Sequence, residues 1–194
     1  MEVKLDKRYP VAASVEQAWA VLSDIRAVAG CMPGAAITEQ IDDTHFKGTV
    51  KAKVGPAMMS FGGEIELLGL DTATRALQMM GKGADKAGSS ASMKLDAHVE
   101  PGESPTTSLL VGQATFVVSG KLAQFGNRLL VPVSDAMLGQ FAQNFSAAAA
   151  AQAVAGSSAP PPPPAPPVKA LNAFALFWQV LRGWLAGLFG GKKP

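Results

Sequence analysis

The stretch "TSLLVGQATFVVSGKLAQFGNRLLVPVSDAMLGQFAQNF", residues 107–145, changes its hydrophobic period half-way along. Up to Gly120 it is short, apolar and β-branched, which predicts a strand. From Lys121 onward Leu122, Phe125, Leu129, Val133, Met137, Phe141 and Phe145 recur at helical spacing and make one apolar stripe. Pro132 falls inside that stripe and predicts a kink. A helix with a single long stripe has to bury it against another layer. The residues upstream supply that layer.

In "HFKGTVKAKVG", residues 45–55, Phe46, Gly48, Val50, Ala52 and Val54 alternate with Lys47, Thr49, Lys51 and Lys53. This is a half-buried strand with a basic outer face. In "SMKLDAHVE", residues 92–100, Met93, Leu95, Ala97 and Val99 point one way and the charged residues the other. "AAITEQI" at 35–41, "EIELLGL" at 64–70 and "RALQMMG" at 75–81 add further strands between Gly, Pro, Asp and Ser clusters. Residues 2–9 alternate weakly ahead of Pro10 and suit a first strand. Ser14 with Gln17 three residues on forms a capping box before Val15, Ala18, Trp19 and Leu22. "DIRAVAG" predicts a second short helix, which Pro33 and Gly34 end. The order is strand, two short helices, about six strands and one long helix. Consecutive short strands imply an antiparallel sheet, and the whole an α+β, two-layer domain.

Composition narrows the function. The net charge of +2 implies no nucleic acid or other polyanion as partner. One cysteine, Cys31, excludes an internal disulfide and suits a reducing compartment. The first residues carry acids and bases and no apolar run, so no secretory signal is expected. Only His45 and His98 could serve as histidine bases, and His98 sits on the polar face of its strand beside Asp96 and Glu100. No metal-ligand spacing occurs, and Gly81-Lys82-Gly83 is too short for a phosphate loop. Neither a catalytic residue nor a metal or covalent cofactor is predicted. Soft apolar residues beside glycines are plentiful: Met58, Met59 and Phe61 in "VGPAMMSFGG", Met79 and Met80 in "LQMMGKG". They suit a surface that reshapes around an apolar ligand, and equally suit core packing with glycine bulges.

The element order resembles the START-like (SRPBCC) helix-grip fold, a curved antiparallel sheet wrapped around a long C-terminal helix. Within it the chain is similar to the CoxG family of carbon monoxide dehydrogenase accessory proteins. The matching pieces are Cys31-Met32-Pro33-Gly34, Val54-Gly55-Pro56, Phe61-Gly62-Gly63, Gly81-Lys82-Gly83 and "SGKLAQFGNRL" from Ser119 to Leu129. They cover residues 1 to about 150 in order. The resemblance implies an elongated apolar cavity between sheet and helix. It also implies an accessory role to a molybdenum-containing CO dehydrogenase or related molybdenum hydroxylase. If such a cavity exists, alternation aims Leu67, Leu77, Met79, Met93 and Leu95 at it from the sheet. Leu129, Val133, Met137 and Phe141 face it from the helix, and Met58, Met59 and Phe61 form a loop that closes its mouth. Phe116 of the last strand and Phe125 ahead of the helix complete the candidate ligand-binding set.

Three parts are expected: a ligand-binding domain over 1–150, an Ala/Pro-rich linker over 151–168, and a membrane-anchoring helix over 169–194. The alanine run is read as low-complexity chain without a core. Eight residues, 160–167, are nearly all Pro and would extend roughly 25 Å as polyproline II. In "LNAFALFWQVLRGWLAGLFGGKKP", Ala170 to Gly190 gives roughly 31 Å of helix, long enough to cross a bilayer. Arg182 near its middle would cost about 2.5–3.5 kcal/mol there. The helical wheel gathers Asn172, Gln179, Gly183 and Gly190 on one side. Phe174, Phe177, Leu181, Trp184, Leu185 and Leu188 gather on the other. Such a helix lies in the membrane interface, with Trp178 and Trp184 as anchors and Lys192 and Lys193 among the headgroups. The expected protein is therefore cytoplasmic and peripheral on the inner face of the cell membrane, touching its lipid. Its expected cargo is a respiratory quinone, carried between membrane and enzyme. The alternative is an adaptor that recruits the CO dehydrogenase without carrying a ligand.

Overall fold

The computed structural model describes residues 1–54 and 57–156. Strand β1 (Glu2–Val11) is followed by α1 (Val15–Leu22) and α2 (Ile25–Cys31). Then come β2 (Ala35–Gln40), β3 (His45–Val54), β4 (Ala57–Asp71), β5 (Ala76–Asp85), β6 (Ser90–Pro101) and β7 (Ser108–Ser119). A 3-10 turn, Gly120–Phe125, leads into α3 (Gly126–Gly156).

Local chemistry sets these boundaries. The Ser14 hydroxyl accepts from the Gln17 backbone N–H, and the Gln17 side-chain oxygen accepts from the Ser14 N–H at 2.9 Å, which closes the predicted capping box. Asp24 caps α2 by accepting from the N–H groups of Arg26 and Ala27. The hairpin turns use one device repeatedly. Asp42, Asp71 and Asp85 each accept backbone N–H bonds from residues two to four further on. The N–H of Thr44 and the ring of His45 hold the Asp42 carboxyl at about 2.

The seven strands form one curved antiparallel sheet in the order β1-β7-β6-β5-β4-β3-β2. Its edges are β1 and β2. Helix α3 packs on α1, α2, β1 and β3, so it bridges from one edge of the sheet toward the other. Two apolar clusters result. The larger joins α1, α2 and the sheet around Val11, Ala18, Val21, Leu22, Leu77 and Phe145. The smaller gathers Val54, Met59, Val118, Leu122 and Leu130.

Two expectations about the last helix need correction. The apolar stripe is not one helix: Gly126, at φ +65°, separates the 3-10 turn carrying Leu122 and Phe125 from α3. A left-handed φ favours glycine and interrupts the helical path. Nor is the alanine run a low-complexity chain without a core, and the linker expected from 151 does not begin there, since α3 continues to Gly156. Alanine is the best helix former, and Ala149 is fully buried in the cluster that holds Ala18 and Val21. Pro132 lies inside α3 as expected.

Candidate functional site: a cavity between sheet and long helix

Between the two clusters lies a cavity of about 400 Å³. That is within the range of sites for small molecules. Its floor is the inner face of the sheet, and the registers show how the floor was emptied. Gly48 pairs with Gly63, Gly63 with Gly83, and Gly83 with Ala91, so three adjacent strands carry no side chain in one transverse row. The next row runs Ile65, Gly81, Met93, Phe116. Further rows place Met79 beside Leu95 and Ala114, and Ala97 beside Gly112. Small residues make the space and large soft ones bound it. At Gly81 and Gly112 an added Cβ would find its nearest side-chain neighbour 3.9 Å away, in Met93 and Leu95 respectively. Gly63 has another reason to be glycine: a Cβ there would lie 2.0 Å from the Lys82 carbonyl oxygen. The strands approach so closely that only a bare backbone fits.

The roof comes from the helices. Ser134, Met137, Leu138 and Phe141 of α3 cover the middle, and Ile25, Val28 and Ala29 of α2, with Met32 just beyond it, close one side. Phe141 stacks in a tilted arrangement on Phe145, centroids 5.8 Å apart, which fixes its ring. The wall is mostly apolar, with the hydroxyls of Thr49, Ser92 and Ser134 spread around it and a polar strip along β1. There Lys7 and Tyr9 line the cavity, and the Lys7 ammonium lies 2.9 Å from the Asp135 carboxylate of α3. The bond to Asp135 raises the affinity of Lys7 for its proton, and partial burial raises that of the Tyr9 phenol.

Seven of the fourteen candidate ligand-binding residues line this cavity: Phe61, Met79, Met93, Leu95, Phe116, Met137 and Phe141. The other seven lie elsewhere. Leu77 is 0% exposed in the main cluster and Leu67 packs on that cluster. Met59, Phe125, Leu129 and Val133 belong to the smaller cluster. Met58 is 70% exposed. The expected mouth-closing loop is in fact the start of β4, and strand alternation sends Met58 outward and Met59 inward. The membrane-binding set, Phe174, Phe177, Trp178, Leu181, Trp184, Leu185, Leu188, Lys192 and Lys193, lies outside the described residues. His98 bonds Glu100 at 3.0 Å and His45 bonds Asp42, both away from the cavity. Glu100 also pairs with Arg8. Cys31 is buried, and burial pushes its thiol up; its carbonyl accepts from Asn144 Nδ2 at 2.9 Å and ties α2 to α3.

The arrangement can enclose an apolar molecule with one polar end. The model of the carbon monoxide dehydrogenase CoxG family matches residues 8–150. This chain belongs to the CoxG family. The CoxG match runs from the end of β1 well into α3 and takes in all the cavity-lining residues except Leu5 and Lys7. Among solved structures the chain is similar to a conserved protein from Geobacillus kaustophilus (16% identity, 77% of this chain and 97% of that one, TM-score 0.69). It is also similar to the Zhui aromatase/cyclase from Streptomyces sp. R1128 (16% identity, 80% and 99% covered, TM-score 0.59). A START superfamily protein from Mycobacterium smegmatis gives 15% identity, 77% and 98% covered, and TM-score 0.55. These likenesses show the START-like fold. No curated protein matches the chain in sequence.

Most of the pieces that carried the CoxG resemblance reach this site. Met32, Phe61, Gly62, Gly63, Gly81, Lys82 and Gly83 all border the cavity. Gly34, at φ +76°, turns the chain where a Cβ would lie 2.2 Å from the Lys51 carbonyl oxygen. Sequence reasoning missed Lys7, Tyr9 and the wall of small residues. The signal for Lys7 was present: it is a charge at an inward position of a strand whose inward neighbours are Leu5, Tyr9 and Val11.

Proposed function

We propose that this CoxG-family protein serves a molybdenum-containing CO dehydrogenase, or a related molybdenum hydroxylase, by carrying a respiratory quinone in its cavity. The largely apolar, partly open cavity of about 400 Å³ between sheet and α3 carries the reading. A respiratory quinone joins a flat ring with two carbonyl oxygens to a long hydrocarbon tail, and the tail makes it too insoluble to cross water to a cytoplasmic enzyme unaided. A wall of Met, Phe, Leu and Gly with a polar strip along β1 suits such a molecule. The amphipathic pattern after residue 169 supports residence at the inner face of the membrane, where the quinone dissolves. The Pro-rich stretch before it would act as a spacer of roughly 25 Å, raising the effective concentration of both membrane and enzyme around the domain. The protein's part in this scheme is carriage rather than chemistry.

The test couples the purified enzyme to quinone-containing vesicles and follows CO-dependent quinone reduction. Addition of the full chain should accelerate it. Met137→Trp, which fills the cavity, should abolish the acceleration while the protein still binds the vesicles. If the filled variant supports full transfer, the protein recruits the enzyme without carrying a ligand.

A further inference from the structure

We propose that Lys7, held by Asp135, recognises the polar end of the ligand and that the pair selects a neutral carbonyl oxygen over a carboxylate. This rests on the reading that the cavity takes an apolar ligand, and it assigns the point at which that ligand is oriented.

Alternation along β1 turns Leu5, Lys7, Tyr9 and Val11 toward the inner face, opposite Ala114, Gly112, Leu110 and Ser108. Lys7 therefore stands across from a glycine, and the absent side chain leaves room for its stem over the cavity floor. Glu64 and Lys82 also border the cavity, but each neighbours an inward glycine and is itself exposed on the outer face. Lys7 is thus the charged group that the register directs inward along the cavity. A lysine at such a position needs a partner. It has one in Asp135, 2.9 Å away on α3, next to the cavity-lining Ser134. The two half-exposed side chains sit where the edge strand meets the helix, at the rim of the cavity.

The stoichiometry of donors then decides the ligand class. An ammonium has three N–H donors, and the bond to Asp135 uses one. The remaining donors can reach an oxygen at the end of a bound molecule, with the Tyr9 hydroxyl beside them. The pair as a whole is neutral. A carbonyl oxygen gains a charge-assisted bond from Lys7 without meeting net charge. A carboxylate would gain the same bond but would be brought close to the Asp135 carboxylate, and like charges at that range oppose binding. The ligand selected is a neutral amphiphile with a carbonyl end, such as a quinone, and not a fatty acid.

The experiment measures equilibrium binding to the full chain by calorimetry with three probes of one alkyl length: an alkyl benzoquinone, the corresponding alkylbenzene and the corresponding alkyl carboxylate. Wild type should prefer the benzoquinone. Lys7→Met should weaken benzoquinone binding about tenfold, the scale of one charge-assisted hydrogen bond, and leave the alkylbenzene unchanged. Asp135→Asn should strengthen carboxylate binding several-fold, because it leaves the ammonium without its counter-charge. Loss of both uncharged probes in equal proportion with Lys7→Met would mean that the pair only holds β1 to α3, and would overturn the proposal. Unchanged benzoquinone binding in Lys7→Met, or unchanged carboxylate binding in Asp135→Asn, would overturn it while leaving the carrier reading intact. If wild type binds none of the probes, both readings fall.

Discussion

Two substitutions on α3, eight residues apart on one stripe, separate a cavity from a core. Phe145 is 0% exposed and packs within the main cluster. Removing its ring with Phe145→Ala leaves a hole that the close-packed surroundings fill only in part, at a cost of about 3–5 kcal/mol. For a chain of this size each kcal/mol shifts Tm by about 2–4 °C, so the expected loss is about 6–20 °C. Met137 lies two turns earlier but faces the cavity. Met137→Trp puts an indole into space that holds no side chain, so its expected cost is under about 1 kcal/mol, or less than about 4 °C. Forced into a packed core, the same indole would cost about 1–3 kcal/mol. Thermal melts of the full chain by circular dichroism read both numbers. If Met137→Trp melts as early as Phe145→Ala, the side chains around Met137 are plain core and the cavity argument fails.

Four further outcomes can be checked alongside. Gly63→Ala should destabilise by about 1–3 kcal/mol, because its Cβ would meet the Lys82 carbonyl oxygen at 2.0 Å. Gly81→Ala should be neutral or stabilising by up to about 1 kcal/mol, with its nearest neighbour at 3.9 Å; a reversed order in chemical denaturation would contradict the registers. Asp42 has a folded value of about 2, below its usual 3.8. Its contribution is therefore present above pH ~4 and lost as pH falls toward ~2, and Asp42→Ala should flatten that part of the acid-unfolding curve. An unaltered curve would show that the turn does not depend on the ionised carboxylate. In the tail, Leu181→Glu with Trp184→Glu should move the full chain from the membrane to the soluble fraction. Retention of the doubly charged variant on membranes would place the attachment elsewhere.

The fold was legible because each element carried a local signal. The capping box at Ser14 and Gln17, the alternation in β3 and β6, and the change of period after Gly120 each have a mechanism that acts within a few residues. The boundary of the last helix was not, since a run of alanines reads as low complexity until a partner buries one of them, as α1 does for Ala149. The cavity was half legible. Met79, Met93, Leu95, Met137 and Phe141 announced themselves as inward apolar residues, but inward and cavity-facing are different properties. Leu77 and Met79 share a face of β5, yet Leu77 is sealed in the core. Met79 is the nearer of the two to Gly81 and to the bare row of Gly48, Gly63 and Gly83 beyond it, whereas Leu77 pairs with Leu70 and Ala97 further from that row. That row exists only once the registers are known. Lys7 was passed over for the same reason, because its role depends on Asp135, 128 positions away and brought beside it by the crossing of α3 over the edge strand.

Whether the cavity holds a quinone can be read from the protein itself. The measurement is organic extraction of the purified full chain, prepared from membranes without added ligand, followed by mass spectrometry. A respiratory quinone should be recovered in a substantial fraction of molecules from wild type and lost from Met137→Trp and Leu95→Trp that retain the wild-type Tm. Recovery of no quinone from wild type, or equal recovery from the filled variants, would refute the carrier reading.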